Sequence, residues 1–215
     1  MLIFSVVIHE MAHGWVALKF GDTTARDLGR LTLNPIPHID FFGSILVPLF
    51  SILATGRVFI AWAKPVPIDP RNFSNFKRDD TFVTVAGPLS NLIVALLCAV
   101  FTVIFYYIVI ITSPTQNSIG FEFLNFMLKM FYSGILLNVS LAVFNMLPIP
   151  PLDGSHVVAN ILPDEAAYRF RKIGFMGIFI ILILFNYIPG FTQFFITIIT
   201  TVSKPYFSIV NHFMK

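Results

Sequence analysis

From Phe82 to Thr112 the chain passes no Asp, Glu, Lys or Arg, and so long an apolar run suits the hydrocarbon of a bilayer better than water. A spanning helix needs about 20 such residues, rising about 1.5 Å each, to cross roughly 30 Å. Met1 to about Phe20, Leu124 to Leu147, Ile173 to Tyr187 and Phe191 to Val202 are also largely apolar, the last two divided by Pro189-Gly190. With 56% hydrophobic and 12% charged residues in a chain of 215, the expected fold class is an all-α polytopic membrane protein with about four to six transmembrane helices. The formal charge of +3 would invite nucleic acid in a soluble protein. Here the basic residues flank apolar segments, so the expected partner is the lipid bilayer and no nucleic acid. The single Cys98 forms no intrachain disulfide and reads as packing. Met1 to Leu18 lacks a basic leader and reads as a functional span, not a secretion signal. No repeat or low-complexity linker interrupts the chain, so residues 1–215 are expected to form a single membrane-embedded domain.

The loops set the topology. Gly21 to Asp40 is polar and turn-rich, with a short extended stretch expected at Gly29 to Pro35, and Lys64 to Thr81 is a second polar loop carrying Pro65, Pro67 and Pro70. Between them Phe41 to Ala63 is apolar but broken by Gly43, Pro48, Gly56 and Arg57. If that segment crossed the bilayer, Lys19, Arg26 and Arg30 would lie opposite Lys64, Arg71, Lys77 and Arg78, against the positive-inside rule. If it dips in and returns, both loops share a face with Arg169, Arg171 and Lys172, leaving only Lys129 opposite. A short β or re-entrant segment is therefore expected between the first helix and a helix beginning near residue 82. Lys77, Arg78, Asp79 and Asp80 read as a solvated loop before that helix.

Within the first apolar stretch stands His9-Glu10-Met11-Ala12-His13. Residues four apart share a helix face, so both imidazoles can grip one metal ion, and Glu10 lies beside it as a base for a bound water. Only eight residues precede His9, about 12 Å of helix, so either the motif sits off-centre in the bilayer or further residues precede Met1. A third ligand is offered by Asn145-Met146-Leu147-Pro148-Ile149-Pro150-Pro151-Leu152-Asp153-Gly154, where prolines stop a span and Asp153 follows, with a glycine free to turn after it. Of the eleven acidic residues, only Glu10 and Asp153 are expected to be buried at membrane depth. Two histidines, an aspartate and a water make a tetrahedral catalytic zinc site with one open position.

Taken with Ala86-Gly87-Pro88-Leu89-Ser90-Asn91, these stretches resemble the three signatures of the site-2 proteases, membrane-embedded zinc peptidases. Gly29 to Asp40 and Ala63-Lys64-Pro65-Val66-Pro67 resemble the small subgroup without a PDZ domain. The resemblance implies one Zn2+ per chain on His9, His13 and Asp153, Glu10 as general base, and transmembrane proteins as substrates. It also implies that Asn91 and the proline loop, with Asn145, Pro148 and Pro150, hold an unwound substrate. The expected location is the cell membrane, multi-pass, with the active site toward the cytoplasmic side. His38 is a candidate for substrate contact or proton shuttling against the simpler role of a loop hydrogen-bonder. His156 is weighed as a residue that orients a metal ligand against a loop role, which is preferred, His212 reads as interfacial and Asn138 as a helix-to-helix hydrogen bonder.

Other function classes fit less well. A transporter or channel would show paired repeats and charges spread along several spans. A catalytically silent relative that binds membrane partners has no need of Glu10, since zinc binding alone does not require it. A membrane zinc hydrolase acting on a non-peptide substrate shares the same site. Substrate identity, regulation and oligomeric state are not set by the sequence.

Overall fold

The computed structural model describes residues 1–46, 49, 53, 63–116 and 118–214, and among them every regular element is helical. The helices are α1 (Leu2–Lys19), α2 (Thr24–Asp27), α3 (Phe76–Thr112), α4 (Ile119–Asn145), α5 (Asp153–Ile161), α6 (Asp164–Arg171), α7 (Gly177–Tyr187) and α8 (Phe191–Phe213). Three of them, α1, α3 and α4, are long and apolar enough to cross a membrane. A fourth span results if α6 and the segment from Gly174 to Tyr187, bent by 67°, count as one. The all-α polytopic expectation is met. Beyond Leu46 the expected re-entrant stretch lies outside the described residues, apart from Leu49, Leu53 and Ala63. Its entry, Phe41–Leu46, is a wide helical turn opened by Asp40, whose side chain accepts from the Gly43 amide at 2.6 Å. Gly29 to Pro35 makes no strand.

The chain divides into two compact units, an N-terminal unit of Ile3–Gly87 and a C-terminal unit of Met1–Leu2 with Pro88–Lys215. In the N-terminal unit, α1 buries a face of small residues, Ser5, Gly14 and Ala17, together with Val7 and both histidines. The helix ends where Gly21, at φ +100, takes the left-handed conformation that glycine tolerates. The amides of Gly21 and Asp22 then reach back to the carbonyls of Leu18 and Ala17, the two bonds of a Schellman stop. Ala17, Phe73 and Val83 form the unit's apolar centre, flanked by Val16, Phe20 and Ile68.

Asp22, fully buried, ties this unit together. Its carboxylate accepts from the Thr24 amide and hydroxyl, from Asn72 Nδ2 at 2.8 Å and from the Asp69 amide at 2.8 Å. Desolvation pushes its pKa up, but the hydrogen bonds from Thr24, Asn72 and the Asp69 backbone together outweigh it and hold the carboxyl below its ordinary range. A group with a depressed folded pKa stabilises the fold above its unfolded pKa, and that contribution disappears as pH falls through the folded value. Asp22→Ala is expected to cost about 3 kcal/mol, because the donors lose a charged acceptor. It should also flatten the acid limb of a melting-temperature-against-pH profile below about pH 4. An unchanged acid limb in the variant would remove Asp22 from this role.

The helix expected near residue 82 begins at Phe76 instead, and the solvated-loop reading of Lys77 to Asp80 is corrected by its cap. Asn75 Oδ1 accepts from the Arg78 amide at 3.3 Å, while Asp79 Oδ2 accepts from the Asn75 amide at 2.8 Å, a reciprocal cap of the first turn. Asp79 is fully buried and paired with Arg78 Nε at 2.8 Å. Asp80 is buried as well. Burial inside the protein is thus not confined to the two carboxylates expected at membrane depth. Asp22, Asp79 and Asp80 are more enclosed, whereas Glu10 and Asp153 are half-buried.

In the C-terminal unit Ala95, Val139, Phe195 and Ile199 form a core from α3, α4 and α8. Phe131 of α4 stacks on Phe101 and Phe105 of α3 at 5.0 and 5.5 Å. Buried among these apolar helices, Asn91 Nδ2 donates to Asn138 Oδ1 at 3.1 Å, and Asn138 Nδ2 donates to the Gly134 carbonyl. Such amide pairs link helices where water is absent. Ile93, Leu96, Leu97, Val100 and Ile104 of α3 are exposed, an outer surface suited to lipid.

Candidate metal centre

The two imidazoles meet on the buried face of α1. His9 and His13 are 7% and 8% exposed, their rings stand at 85°, and their Nε2 atoms lie 3.1 Å apart. Two nitrogens bound to one tetrahedral zinc at about 2.05 Å would be separated by about 3.3 Å, so the pair fits the ion. The tautomer of His13 follows from its neighbour. Its Nδ1 lies 2.7 Å from the Val83 carbonyl, which can only accept, so Nδ1 carries the proton and Nε2 keeps its lone pair for a metal.

Gly87 is the residue that makes room for this arrangement. A Cβ added there would overlap His13 Nε2 and come within 2.5 Å of His13 Cε1 and 2.7 Å of His9 Cε1. Gly87 and Pro88 both lie inside α3. What position 87 requires is the absence of a side chain. A glycine inside an apolar helix, where it lowers helix propensity, is the sequence signal that would have pointed to a close approach.

Glu10, next to His9 on the same helix, is held by a backbone donor. Its Oε2 accepts from the Val66 amide at 2.8 Å. His38 is buried, with Nε2 3.0 Å from the Thr32 carbonyl and its own carbonyl accepting from the Lys64 amide at 2.9 Å. These bonds fit the loop hydrogen-bonding role. An apolar groove of about 280 Å³, lined by Ile8, Met11, Ala12, Trp15 and Leu33, also borders α1.

The other candidates belong to the C-terminal unit. Asp153 is the first residue of α5. Gly154 was expected to free the backbone to turn. Instead it lies within α5, and a Cβ there would come within 2.5 Å of the Met146 carbonyl carbon and 2.7 Å of the Leu147 oxygen. Glycine is needed because the start of α5 lies against the end of α4. Asn145 Nδ2 donates to the Leu141 carbonyl at 3.0 Å, Pro148 is exposed and Pro150 is buried. Gly177 accommodates the Pro150 carbonyl, which a Cβ would overlap. His156 is exposed on α5, and His212 is exposed near the end of α8.

The model of Peptidase family M50 matches residues 1–185. YwhC of Bacillus subtilis (strain 168), named as a candidate zinc metalloprotease, is 39% identical over 188 residues, covering 86% of this chain and 77% of that protein. Rip2 of Mycolicibacterium smegmatis and Rip2 of Mycobacterium tuberculosis (strain H37Rv), named in the same way, are each 28% identical over 85% of this chain. The chain spans slightly less than two thirds of their length, 63% and 64%. No solved structure matches the chain. Family, relatives and the paired histidines agree, and the chain belongs to peptidase family M50, the site-2 protease family of zinc metallopeptidases.

Proposed function

We propose that this chain is a zinc-dependent intramembrane endopeptidase that hydrolyses peptide bonds of transmembrane proteins. The observation that carries the reading is the convergence of His9 and His13 Nε2 atoms 3.1 Å apart, beside a tethered carboxylate, on a helix apolar enough to span a bilayer. One zinc per chain would be held by His9, His13 and Asp153. When bound it supplies Lewis acidity and lowers the pKa of its water to about 7. Glu10 takes the proton from the attacking water and returns it to the leaving amine. The Val66 amide fixes one carboxylate oxygen of Glu10, leaving the other for the proton.

A substrate helix hides its carbonyls in its own hydrogen bonds, so it has to unwind before attack. Asn91, Asn145, Pro148 and Pro150 are assigned to holding the unwound segment. In this reading the active site lies toward the cytoplasmic side of the cell membrane, as the basic loops favour.

The test is cleavage of a panel of purified single-span substrates by zinc-loaded protein, beside soluble peptides of the same sequences. Cleavage within the spans, abolished by a chelator, is expected. Cutting of the soluble peptides alone would sink the intramembrane reading. Asp153→Ala is expected to weaken zinc at least about 100-fold, the upper end of what loss of a mere orienting partner costs. Unchanged zinc content in that variant would remove Asp153 from the ligand set.

A further inference from the structure

We propose that Arg30 is a positioning residue for the Glu10 carboxylate, acting through the backbone of Lys64-Pro65-Val66; the inference rests on Glu10 being the general base. Glu10 takes its hydrogen bond from the Val66 amide. Pro65 and Pro67 have no N–H, so Val66 is the sole backbone donor of that proline stretch. Where this amide points depends on how residues 64 and 65 are held, and Arg30 holds both. Its Nη2 donates to the Lys64 carbonyl at 2.9 Å and to the Pro65 carbonyl at 3.3 Å.

The Lys64 amide is fixed in turn by the His38 carbonyl at 2.9 Å. The backbone immediately before the Glu10 tether is thus pinned at three polar groups. Arg30 itself is 8% exposed, and its amide is anchored on the Ala25 carbonyl at 2.8 Å. Among the described residues no carboxylate pairs with its guanidinium. A guanidinium is costly to bury, and this one is directed at two carbonyls of one loop. Loop charge alone, the role the sequence suggests for Arg30, explains neither its burial nor its two acceptors.

A general base works only within hydrogen-bond reach of the proton it takes, about 2.6–3.2 Å, and a misplacement of about 1 Å costs on the order of 100-fold in rate. Arg30→Ala is therefore expected to lower kcat roughly 10- to 100-fold on the single-span substrate that the wild type cuts fastest. KM and zinc content should stay at wild-type values. Arg30→Lys, which keeps a donor for the same carbonyls, should recover part of the loss.

Val66→Pro removes the donor itself and should reproduce the kcat loss. If Arg30 acts through Val66, the double variant is no worse than Val66→Pro, whereas independent contributions multiply. Multiplying losses, an unchanged kcat in Arg30→Ala, or a fall in zinc content and melting temperature in step with activity would each overturn the proposal. Should Val66→Pro not fold, the division of the Arg30→Ala effect between kcat and KM, with the Arg30→Lys recovery, decides alone. Glu10→Gln belongs in the same series. An active Glu10→Gln would overturn the general-base reading itself, while an inactive one beside a fully active Arg30→Ala overturns only the role of Arg30.

Discussion

Gly87→Ala, the addition of one methyl group, is expected to strip the metal from this protein. The new Cβ would overlap His13 Nε2, the atom offered to the ion, and approach His13 Cε1 and His9 Cε1 to 2.5 and 2.7 Å. The His13 ring has no easy escape. His13 is held from behind by the Val83 carbonyl at 2.7 Å, and its front touches His9 Nε2 at 3.1 Å. To admit the methyl, the helix carrying it must move or the imidazoles must separate, and separation destroys the spacing that suits one tetrahedral ion. Zinc affinity is expected to fall by at least about 100-fold, more than the loss of an orienting partner costs. Metal analysis after dialysis against a weak chelator, with helicity by circular dichroism as a control, gives the answer. A Gly87→Ala protein that keeps a full equivalent of zinc would show that the histidines give way and that position 87 does not set the site.

Gly87 also illustrates what the sequence conceals. The histidine pair on α1 was legible because its information is local: His9, Glu10 and His13 stand four residues or fewer apart, and helix geometry alone puts the imidazoles on one face. The long apolar segments that became α3 and α4 were legible for the same reason, since lipid-facing helices must be apolar along their length. Burial of charge was not. Asp22 is enclosed because Asp69 and Asn72, nearly fifty residues away, bring donors to it, and no local pattern announces that. Asp79 was misread because a polar quartet before an apolar run looks like a loop, until the Asn75 cap draws it into the helix. Arg30 likewise gains its meaning only from the carbonyls of residues 64 and 65. Gly154 was singled out correctly, but its reason is contact with the end of α4 and not freedom to turn.

Glu10→Gln separates the chemistry from the architecture and carries the largest expected effect on turnover. Glutamine has the size and shape of glutamate, and its amide oxygen can still accept the Val66 N–H that Glu10 Oε2 accepts at 2.8 Å. The tether, the helix and both histidines should therefore survive, and zinc content should match the wild type. What is lost is the capacity to take a proton. General-base catalysis typically contributes 100- to 10,000-fold, so kcat is expected to fall by about 1,000-fold, with KM little changed. Glu10→Asp is the complementary case. It keeps a carboxylate but withdraws it by one methylene, about 1.5 Å, so the Val66 bond and the proton-accepting oxygen cannot both be placed as before. If basicity alone mattered, Glu10→Asp would approach wild-type rates. If placement matters as much, as the Val66 tether implies, both variants are slow and only Glu10→Gln is insensitive to a further Arg30→Ala change. Substantial cleavage by zinc-loaded Glu10→Gln would mean that another group takes the proton, and the assignment of Glu10 would have to be abandoned.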